Sequence, residues 1–328
     1  MGGILALAGA FLYGASHVFI RQGLIDARVD KTVGFYLTLL INVIFNSLVL
    51  LVTLLFWDSV PGFNQIGFWF FVVAGFLTSY LGRVALFESI ERIGASRATA
   101  LKITAPLFTV ILGIIFLKER LSLISFIGIA LIFIGVYFVS RETRTKVDDG
   151  QFQKLSLIRT AQPKKEENEE SVKERYFQSA EQVLKWGLVF GVLSGLAFGV
   201  GNVFRKFGVL YYPFPLAGVT ISSWTAFLVI SAQFICQNRD LKTLLSFDNI
   251  FKGGYLWAGI TSSLAQYSIF FALLFSPVSL VNSIKAGESL FTVLVSWVLL
   301  KDQELLNLRF ILSALVLLSG VTLVIVYS

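Results

Sequence analysis

The sequence predicts an all-α membrane protein whose ten transmembrane helices form two inverted five-helix repeats. Three observations support this fold class. Of 328 residues, 56% are hydrophobic and only 14% are charged, whereas a soluble globular protein carries about 25% charged residues. Apolar runs long enough to cross a bilayer recur along the chain, and in lipid such runs must form helices to satisfy their backbone. Finally, motifs of the first half return in the second half.

Ten apolar runs qualify as membrane spans, because a helix needs about 20 largely apolar residues to cross the hydrocarbon core. Five lie in a predicted first repeat, residues 1–140, and five in a predicted second repeat, residues 186–328. The runs are residues 4–20, 33–57, 68–90, 95–117 and 121–139 in the first repeat, and 186–204, 215–236, 255–275, 278–300 and 310–327 in the second.

Residues 141–185, between the two repeats, differ in character from both. The stretch 164–170 reads Lys-Lys-Glu-Glu-Asn-Glu-Glu and has no apolar periodicity. Such a composition predicts a charged, flexible linker. Residues 171–184 could form a short interfacial helix. A regulatory or partner-binding role for the linker is the alternative.

The internal repeat is visible in short matching segments. Residues 99–110 read TALKITAPLFTV and residues 282–293 read NSIKAGESLFTV, which aligns Lys102 with Lys285. Gly135 similarly lies over Gly320, and the segment that begins at Gly14 lies over the one that begins at Gly199. Since five spans are an odd number, the second half enters the membrane in the opposite orientation, an arrangement typical of secondary transporters. The alternative is a duplicated scaffold that transports nothing.

A longer motif carries a family resemblance. The pattern runs from Pro106-Leu-Phe-Thr to Phe116-Leu-Lys-Glu-Arg-Leu-Ser and is followed by an apolar span ending in Gly135-Val136. It resembles the EamA repeat of the drug/metabolite transporter superfamily. The second copy is looser, with Ser289 for the usual proline and Asp302-Gln303 for Glu-Arg. The resemblance implies a transporter; members export amino acids, other metabolites or drugs, and relatives exchange sugar phosphates or nucleotide sugars.

Two lysines are the main candidates for substrate binding. Lys102 and Lys285 each lie about seven residues inside their spans, or about 10 Å at 1.5 Å per residue, and the spans enter from opposite faces. A charge at this depth is costly and therefore a functional candidate. We hypothesise that both lysines form the centre of an anion site. The alternatives are snorkelling to an interface and, for Lys285, neutralisation by Glu288 one turn later.

Four further polar residues could contact the substrate. Arg83 can hold a carboxylate or phosphate at two points, or it could pair internally with Glu88 or another buried carboxylate; its repeat partner is Gln266. His17 and Asn202 are also repeat equivalents. Asn202 could bind either the substrate or a neighbouring helix, and for His17 the favoured alternative is a satisfied polar residue rather than a ligand or proton carrier.

Three residues are candidates for coupling and motion. Glu88 and Glu288 could couple transport to protons, because a poorly solvated carboxylate has a raised pKa; for Glu288 the alternative is charge compensation of Lys285. Pro106 removes a backbone hydrogen bond inside the fourth span and could act as a hinge.

The composition argues against an enzyme and against a cofactor or metal. Cys236 and His17 are the only residues of their types, so the sequence offers no multi-cysteine or His-rich metal site, and it lacks the common catalytic motifs. The net charge of +7 comes from residues between apolar runs, which indicates membrane anchors rather than nucleic-acid binding. Small residues at Gly191, Gly195 and Gly199 could pack against the other half or a homodimer partner.

The sequence therefore predicts a secondary transporter, an exporter or exchanger, in a cell membrane. Its partners would be the lipid bilayer and a small polar substrate, an organic anion or amino acid. Export of amphipathic drugs and a non-transporting scaffold or receptor are the alternatives. Orientation stays open. The family suggests cytoplasmic termini, but Lys118, Arg120, Arg205 and Lys206 on the terminal side are outnumbered by basic residues on the linker side, which suggests the opposite.

Overall fold

The helices of this chain follow the predicted spans closely. The computed structural model describes residues 1–27, 31–56, 61–93, 101–102, 104–142, 169–236, 254–300 and 308–327. In those ranges every regular element is a helix. The first half contains α1 (Gly2–Ala27), α2 (Lys31–Phe56), α3 (Gln65–Gly75), α4 (Gly82–Ile93), α5 (Thr104–Leu117) and α6 (Leu123–Glu142), and the second contains α7 (Glu169–Tyr211), α8 (Pro215–Cys236), α9 (Tyr255–Phe275), α10 (Val278–Lys285), α11 (Glu288–Leu300) and α12 (Leu308–Tyr327).

Seven stretches of the described residues are long and apolar enough to cross a membrane. They are Gly2–Ile20, Val33–Phe56, Gln65–Leu86, Lys185–Tyr211, Pro215–Cys236, Tyr255–Phe275 and Val278–Leu299. Three shorter apolar helices, Thr104–Leu117, Leu123–Phe138 and Leu312–Val326, coincide with the remaining predicted spans. Large apolar side chains such as Leu55 and Trp69 lie exposed on the outer surface, as expected where lipid replaces water. The protein is a multi-pass, helical membrane protein.

Two predicted spans are interrupted. The third contains a π turn, Phe76–Leu81, between α3 and α4, and such turns are frequent at functional sites. The ninth breaks between Lys285 and Glu288, where the amide of Gly287 donates to the carbonyl of Ile284 at 3.0 Å. The predicted ninth span is retained, because Val278–Leu299 is long and apolar enough to cross a membrane; the break lies at a glycine, which lowers helix stability.

The predicted linker and fourth span are only partly described. Residues 143–168 lie outside the described residues. From Glu169 the chain is one continuous helix, α7, so the stretch predicted as a separate interfacial helix runs directly into the sixth span. Residues 95–100 of the fourth span also lie outside the description. Pro106 lies near the start of the described part of α5, inside the predicted fourth span, and its role as a hinge stays a prediction.

The helices pack in matched pairs across the two halves. Helix α1 packs against α9 and α11, whereas α7 packs against α3, α4 and α5. A Cβ on Gly14 would lie 2.8 Å from Phe291 Cβ, and one on Gly199 would lie 2.6 Å from Phe108 Cβ. The neighbours Gly191 and Gly195 likewise face Leu101 and Thr104. This glycine face therefore contacts the first half of the same chain.

The contact between α6 and α12 is also close. A Cβ on Gly135 would lie 2.7 Å from Leu317 Cα, and one on Gly320 would lie 2.8 Å from Ile132 N. Only residues without a side chain allow backbones to approach this closely.

Charged caps close the turn between α9 and α10. Lys206 Nζ donates to the carbonyls of Leu273 at 2.6 Å and Ser276 at 3.1 Å. Glu119 accepts from the amide of Val278 at 2.6 Å and from the hydroxyl of Ser279 at 2.5 Å. A cation at a helix C-terminus and a carboxylate at an N-terminus satisfy the free backbone groups there and match the helix dipoles. Helices α5 and α7 are thus tied to this turn.

Candidate functional site

An ion pair joins the two halves beside the break in the ninth span. Lys102 Nζ donates to Glu288 Oε1 at 2.9 Å, and His17 Nε2 lies 3.9 Å from the same oxygen. Glu288 begins α11, where a carboxylate is favoured by the helix dipole. Lys102 therefore points to the other half of the protein and not to an interface, which disfavours the snorkelling alternative.

Lys285 lies one turn from Glu288 but contacts an aromatic ring. Its Nζ stands 4.7 Å from the centroid of Tyr13, a favourable cation–π arrangement. Lys285 also interacts electrostatically with Glu288, Arg205, Lys102 and Arg83. The two lysines that the repeat aligned thus belong to one charged region.

Arg205 is the residue that sequence reasoning missed. It is 3% exposed and donates from Nη2 to Thr78 Oγ1 at 2.6 Å, and its guanidinium lies 5.3 Å from the ring centroid of Phe270. We assigned it to a membrane flank because the predicted sixth span ended at residue 204. Helix α7 instead continues to Tyr211; the apolar Phe207, Val209 and Leu210 were the signal for the longer span.

Arg83 and Glu88 do not form the ion pair that was the alternative reading. Glu88 pairs with Arg92 one turn later on α4. The Arg83 guanidinium lies 5.5 Å from the ring centroid of Phe35 and interacts electrostatically with Tyr13, Arg205 and Glu288. Arg83 therefore belongs to the central charged region, and Glu88 lies outside it.

Among the described residues, the buried amides that lack a partner on their oxygen include three on α7, α9 and α10, and two of these precede Arg205 and Lys285 by three residues on the same helix. They are Asn202, Gln266 and Asn282, and the sequence analysis had named the first two. A buried polar atom without a hydrogen bond costs about 1–3 kcal/mol. Such atoms are usually satisfied by water or a ligand.

The charges of this region do not balance. We call Arg83, Lys102, Arg205 and Lys285 the central cation cluster. Among the described residues, the carboxylate that acts on Arg83 and Lys285 is Glu288, which also binds Lys102. The described residues of this region thus carry four formal positive charges and one negative charge. An uncompensated charge within a membrane is costly, so the cluster is suited to an anion.

The exposure of the side chains decreases from one end of the site to the other. The exposed fraction of the side chain falls from 41% at His17 and 25% at Lys102 to 16% at Glu288, and Arg205 is almost fully buried. The site is therefore open at the His17 end and closed at the Arg205 end. The part of the chain that the structure describes contains no group of three or more His, Cys, Asp or Glu residues able to hold a metal.

Comparison with known proteins finds a family match in the first half of the chain. Residues 1–141 match the model of the EamA-like transporter family. The resemblance predicted from the Pro106–Ser122 motif is thereby confirmed for the first half. The EamA-like half contains three residues of the site, which are His17 on α1, Arg83 on α4 and Lys102 just before α5.

Two curated relatives carry transporter names. UDP-galactose transporter homolog 1 of Mycosarcoma maydis is 33% identical over 76 residues, 23% of this chain and 19% of that protein. Uncharacterized transporter YcbK of Bacillus subtilis (strain 168) is 42% identical over 69 residues, 21% of each chain. Each match thus spans about a fifth of the relative's length.

The whole fold also has a counterpart of known structure. A chain solved by crystallography superimposes with a TM-score of 0.70 over 98% of this chain and 95% of its own length, at 11% identity. At that identity the likeness concerns the fold alone. It extends over both halves of the protein, including the second half, which the family match does not reach.

Proposed function

We propose that this protein is a secondary transporter that moves a small organic anion across a cell membrane by alternating access around the central cation cluster. The observation that carries the proposal is the excess of positive charge where the two halves meet. Lys102 from the first half reaches Glu288 from the second, and the surrounding cations have no further described carboxylate. An alternating-access transporter needs its site at such a junction.

Matched contacts support two inverted repeats. The Gly14 and Gly199 crossings use repeat-equivalent partners, because Phe291 and Phe108 occupy equivalent positions of the LFTV motif. A pseudo-two-fold axis in the membrane plane produces this duplication. The proposed arrangement has ten spans, in which the three shorter apolar helices complete the seven longer ones.

The contact between α6 and α12 supports the same axis. Gly135 meets Leu317, and Gly320 meets Ile132. The two glycines are repeat equivalents, and so are Ile132 and Leu317 at the same separation along the chain. Each half thus makes the same contact with the other half. A two-fold axis through the α6–α12 interface would generate such a reciprocal pair of contacts.

The charges favour an anion over a zwitterion within the predicted substrate range. An amino acid brings its own ammonium group into a region that already contains four cations, whereas an organic anion adds only the missing negative charge. Of the two carboxylates considered for proton coupling, only Glu288 contacts the cluster. We therefore retain Glu288 and set Glu88 aside, because Glu88 pairs with Arg92.

A thermal-shift screen of the purified protein tests the anion site. Anionic probes such as succinate should raise the melting temperature of the wild-type protein. The Lys285→Gln variant should need on the order of tenfold to a hundredfold more anion for the same shift, because hydrogen bonds to charged groups are worth about 1.5–3 kcal/mol. Lys102→Gln should also raise the anion concentration that is needed for the same shift.

The control is Arg92→Gln, which removes a cation outside the cluster. It should leave the anion response unchanged. Equal anion responses in Lys285→Gln and the wild type would contradict the proposal. Stabilisation by tetraphenylphosphonium and by none of the anions would instead favour a drug exporter.

A further inference from the structure

Arg205 has more hydrogen-bonding capacity than its surroundings use. A guanidinium carries five N–H donors and remains charged in proteins. It donates from Nη2 to Thr78 Oγ1 and is hydrogen-bonded to the side chain of Tyr13, while Nε is buried without an acceptor in the described part of the chain. The face of Phe270 attracts the charge but accepts none of the in-plane N–H groups.

The carboxylate of the site, Glu288, already binds Lys102 and not Arg205. Glu288 Oε1 is already 2.9 Å from Lys102 Nζ and is next to His17, so it neutralises the open end of the site. Between the two ends stands Tyr13, with Lys285 over its ring and a side-chain hydrogen bond to Arg205. The deficit of negative charge is therefore concentrated around Lys285 and Arg205.

The sequence spacing places Arg205 closer than Arg83 to the α9–α10 turn. Thr78, which binds Arg205, precedes Arg83 by five residues on the same span, or about 7 Å at the helical rise. This displacement runs toward the closed end, where Lys206 and Glu119 cap the α9–α10 turn. A single small anionic group cannot therefore satisfy both ends of the site.

We propose that Arg205 is a substrate-binding residue that holds a second anionic group, a carboxylate or phosphate, of a substrate carrying at least two negative charges. This inference rests on the proposed anion-transport function and narrows its substrate class to dianions. Lys285 contacts both groups or the chain between them, and Arg205 receives the deeper one in a two-point contact. The asparagine and glutamine oxygens without partners are positioned to accept from the substrate's hydroxyl groups or from bound water.

The test compares succinate with butyrate, which has the same four-carbon chain and one carboxylate fewer. Apparent affinities come from the concentration dependence of the thermal shift of the full-length protein, and glycerol 3-phosphate serves as the phosphate probe. Wild-type protein should bind one or both dianions at least tenfold more tightly than butyrate. Arg205→Gln should lower the apparent affinity for the preferred dianion on the order of tenfold to a hundredfold. It should change the apparent affinity for butyrate less than about threefold.

Arg205→Lys keeps the charge but loses the two-point geometry. It should lower the apparent affinity for the preferred dianion about tenfold. This variant replaces Arg205→Gln in the measurement if Arg205→Gln does not elute as a single species in size-exclusion chromatography. Whether succinate or glycerol 3-phosphate responds identifies the second group as carboxylate or phosphate.

The outcomes separate this inference from the proposed function. The inference is wrong if Lys285→Gln lowers the affinity for every probe while Arg205→Gln leaves all affinities unchanged. It is also wrong if Arg205→Gln lowers the affinities for butyrate and the dianions equally, because Arg205 then does not bind a second anionic group. If neither variant alters any anion response, the anion site itself is wrong. Loss of the dianion preference in Arg205→Gln alone supports the inference.

Discussion

Replacing Gly199 by leucine is expected to destabilise the protein by about 3 kcal/mol or more. The new Cβ would lie 2.6 Å from Phe108 Cβ and 3.0 Å from the carbonyl oxygen of Ala105, so α5 and α7 must separate to admit the side chain. Overpacking of a close contact costs about 1–3 kcal/mol and occasionally more. The measurement is the melting temperature in detergent, followed by size-exclusion chromatography.

Gly14→Leu should have an effect of similar size, since its Cβ would lie 2.8 Å from Phe291 Cβ and from the backbone nitrogen of Thr292. Gly62→Leu is the matched control, because no atom lies within 4 Å of its Cβ position. A melting temperature of Gly199→Leu equal to that of Gly62→Leu would show that the two helices do not meet as described. Equal losses at Gly14 and Gly199 are expected if the crossings are true repeat equivalents.

Replacing Glu288 by glutamine should have the second largest effect. Removing one partner of a buried ion pair leaves the other uncompensated and typically costs about 3–5 kcal/mol. Glu288 neutralises Lys102 at 2.9 Å and lies beside His17. Because the side chains of Lys102 and Glu288 are 25% and 16% exposed, we expect the lower end of that range. The same variant should show a larger thermal shift with anions than the wild type, since an added anion replaces the missing carboxylate.

A double-mutant cycle checks the pair directly. Lys102→Gln combined with Glu288→Gln should recover part of the stability lost in Glu288→Gln, with a coupling free energy of about 1–3 kcal/mol. Strict additivity of the two single changes would mean that Lys102 and Glu288 do not interact. Glu88→Gln is the carboxylate control, because its ion pair with Arg92 joins consecutive turns of one helix and is worth only a few tenths of a kcal/mol.

Much of this fold can be predicted from the sequence because lipid simplifies the rules. Every span must be helical and apolar, so the long runs give α2, α8 and α9 within a few residues. The aligned Lys102 and Lys285 could be placed near a common centre from the repeat alone. The close helix contact at Gly199 follows from its small-residue spacing.

The charged interior was harder to predict, since hydropathy treats any arginine near a span end as a boundary. Arg205 is for this reason misassigned to a membrane flank. A buried arginine is stable only where a partner such as Thr78 or an aromatic face is available. Such partners lie on other helices and leave no local pattern. The same holds for Lys102, whose ion pair joins residues 186 positions apart.

Local breaks in the helices were also beyond the sequence pattern. The Ala286–Gly287 turn separates Lys285 from Glu288, and the Lys285 ammonium lies over the ring of Tyr13 where an uninterrupted helix would favour a direct ion pair with Glu288. The π turn that presents Thr78 to Arg205 occurs in the apolar segment FLTSYL, which contains no proline or glycine. Its extra residue is stabilised by tertiary contacts, and these only the folded structure reveals.

The most direct test of the central claim is uptake of a radiolabelled dianion by proteoliposomes containing the purified protein. The account predicts saturable uptake by the wild type, acceleration by the same anion inside the vesicles, and loss of at least tenfold in rate in Lys285→Gln at subsaturating substrate. Uptake should be unchanged in the Arg92→Gln control. If the stabilising anion binds but does not cross the membrane, or crosses equally fast in Lys285→Gln, the central cation cluster is not the site of transport.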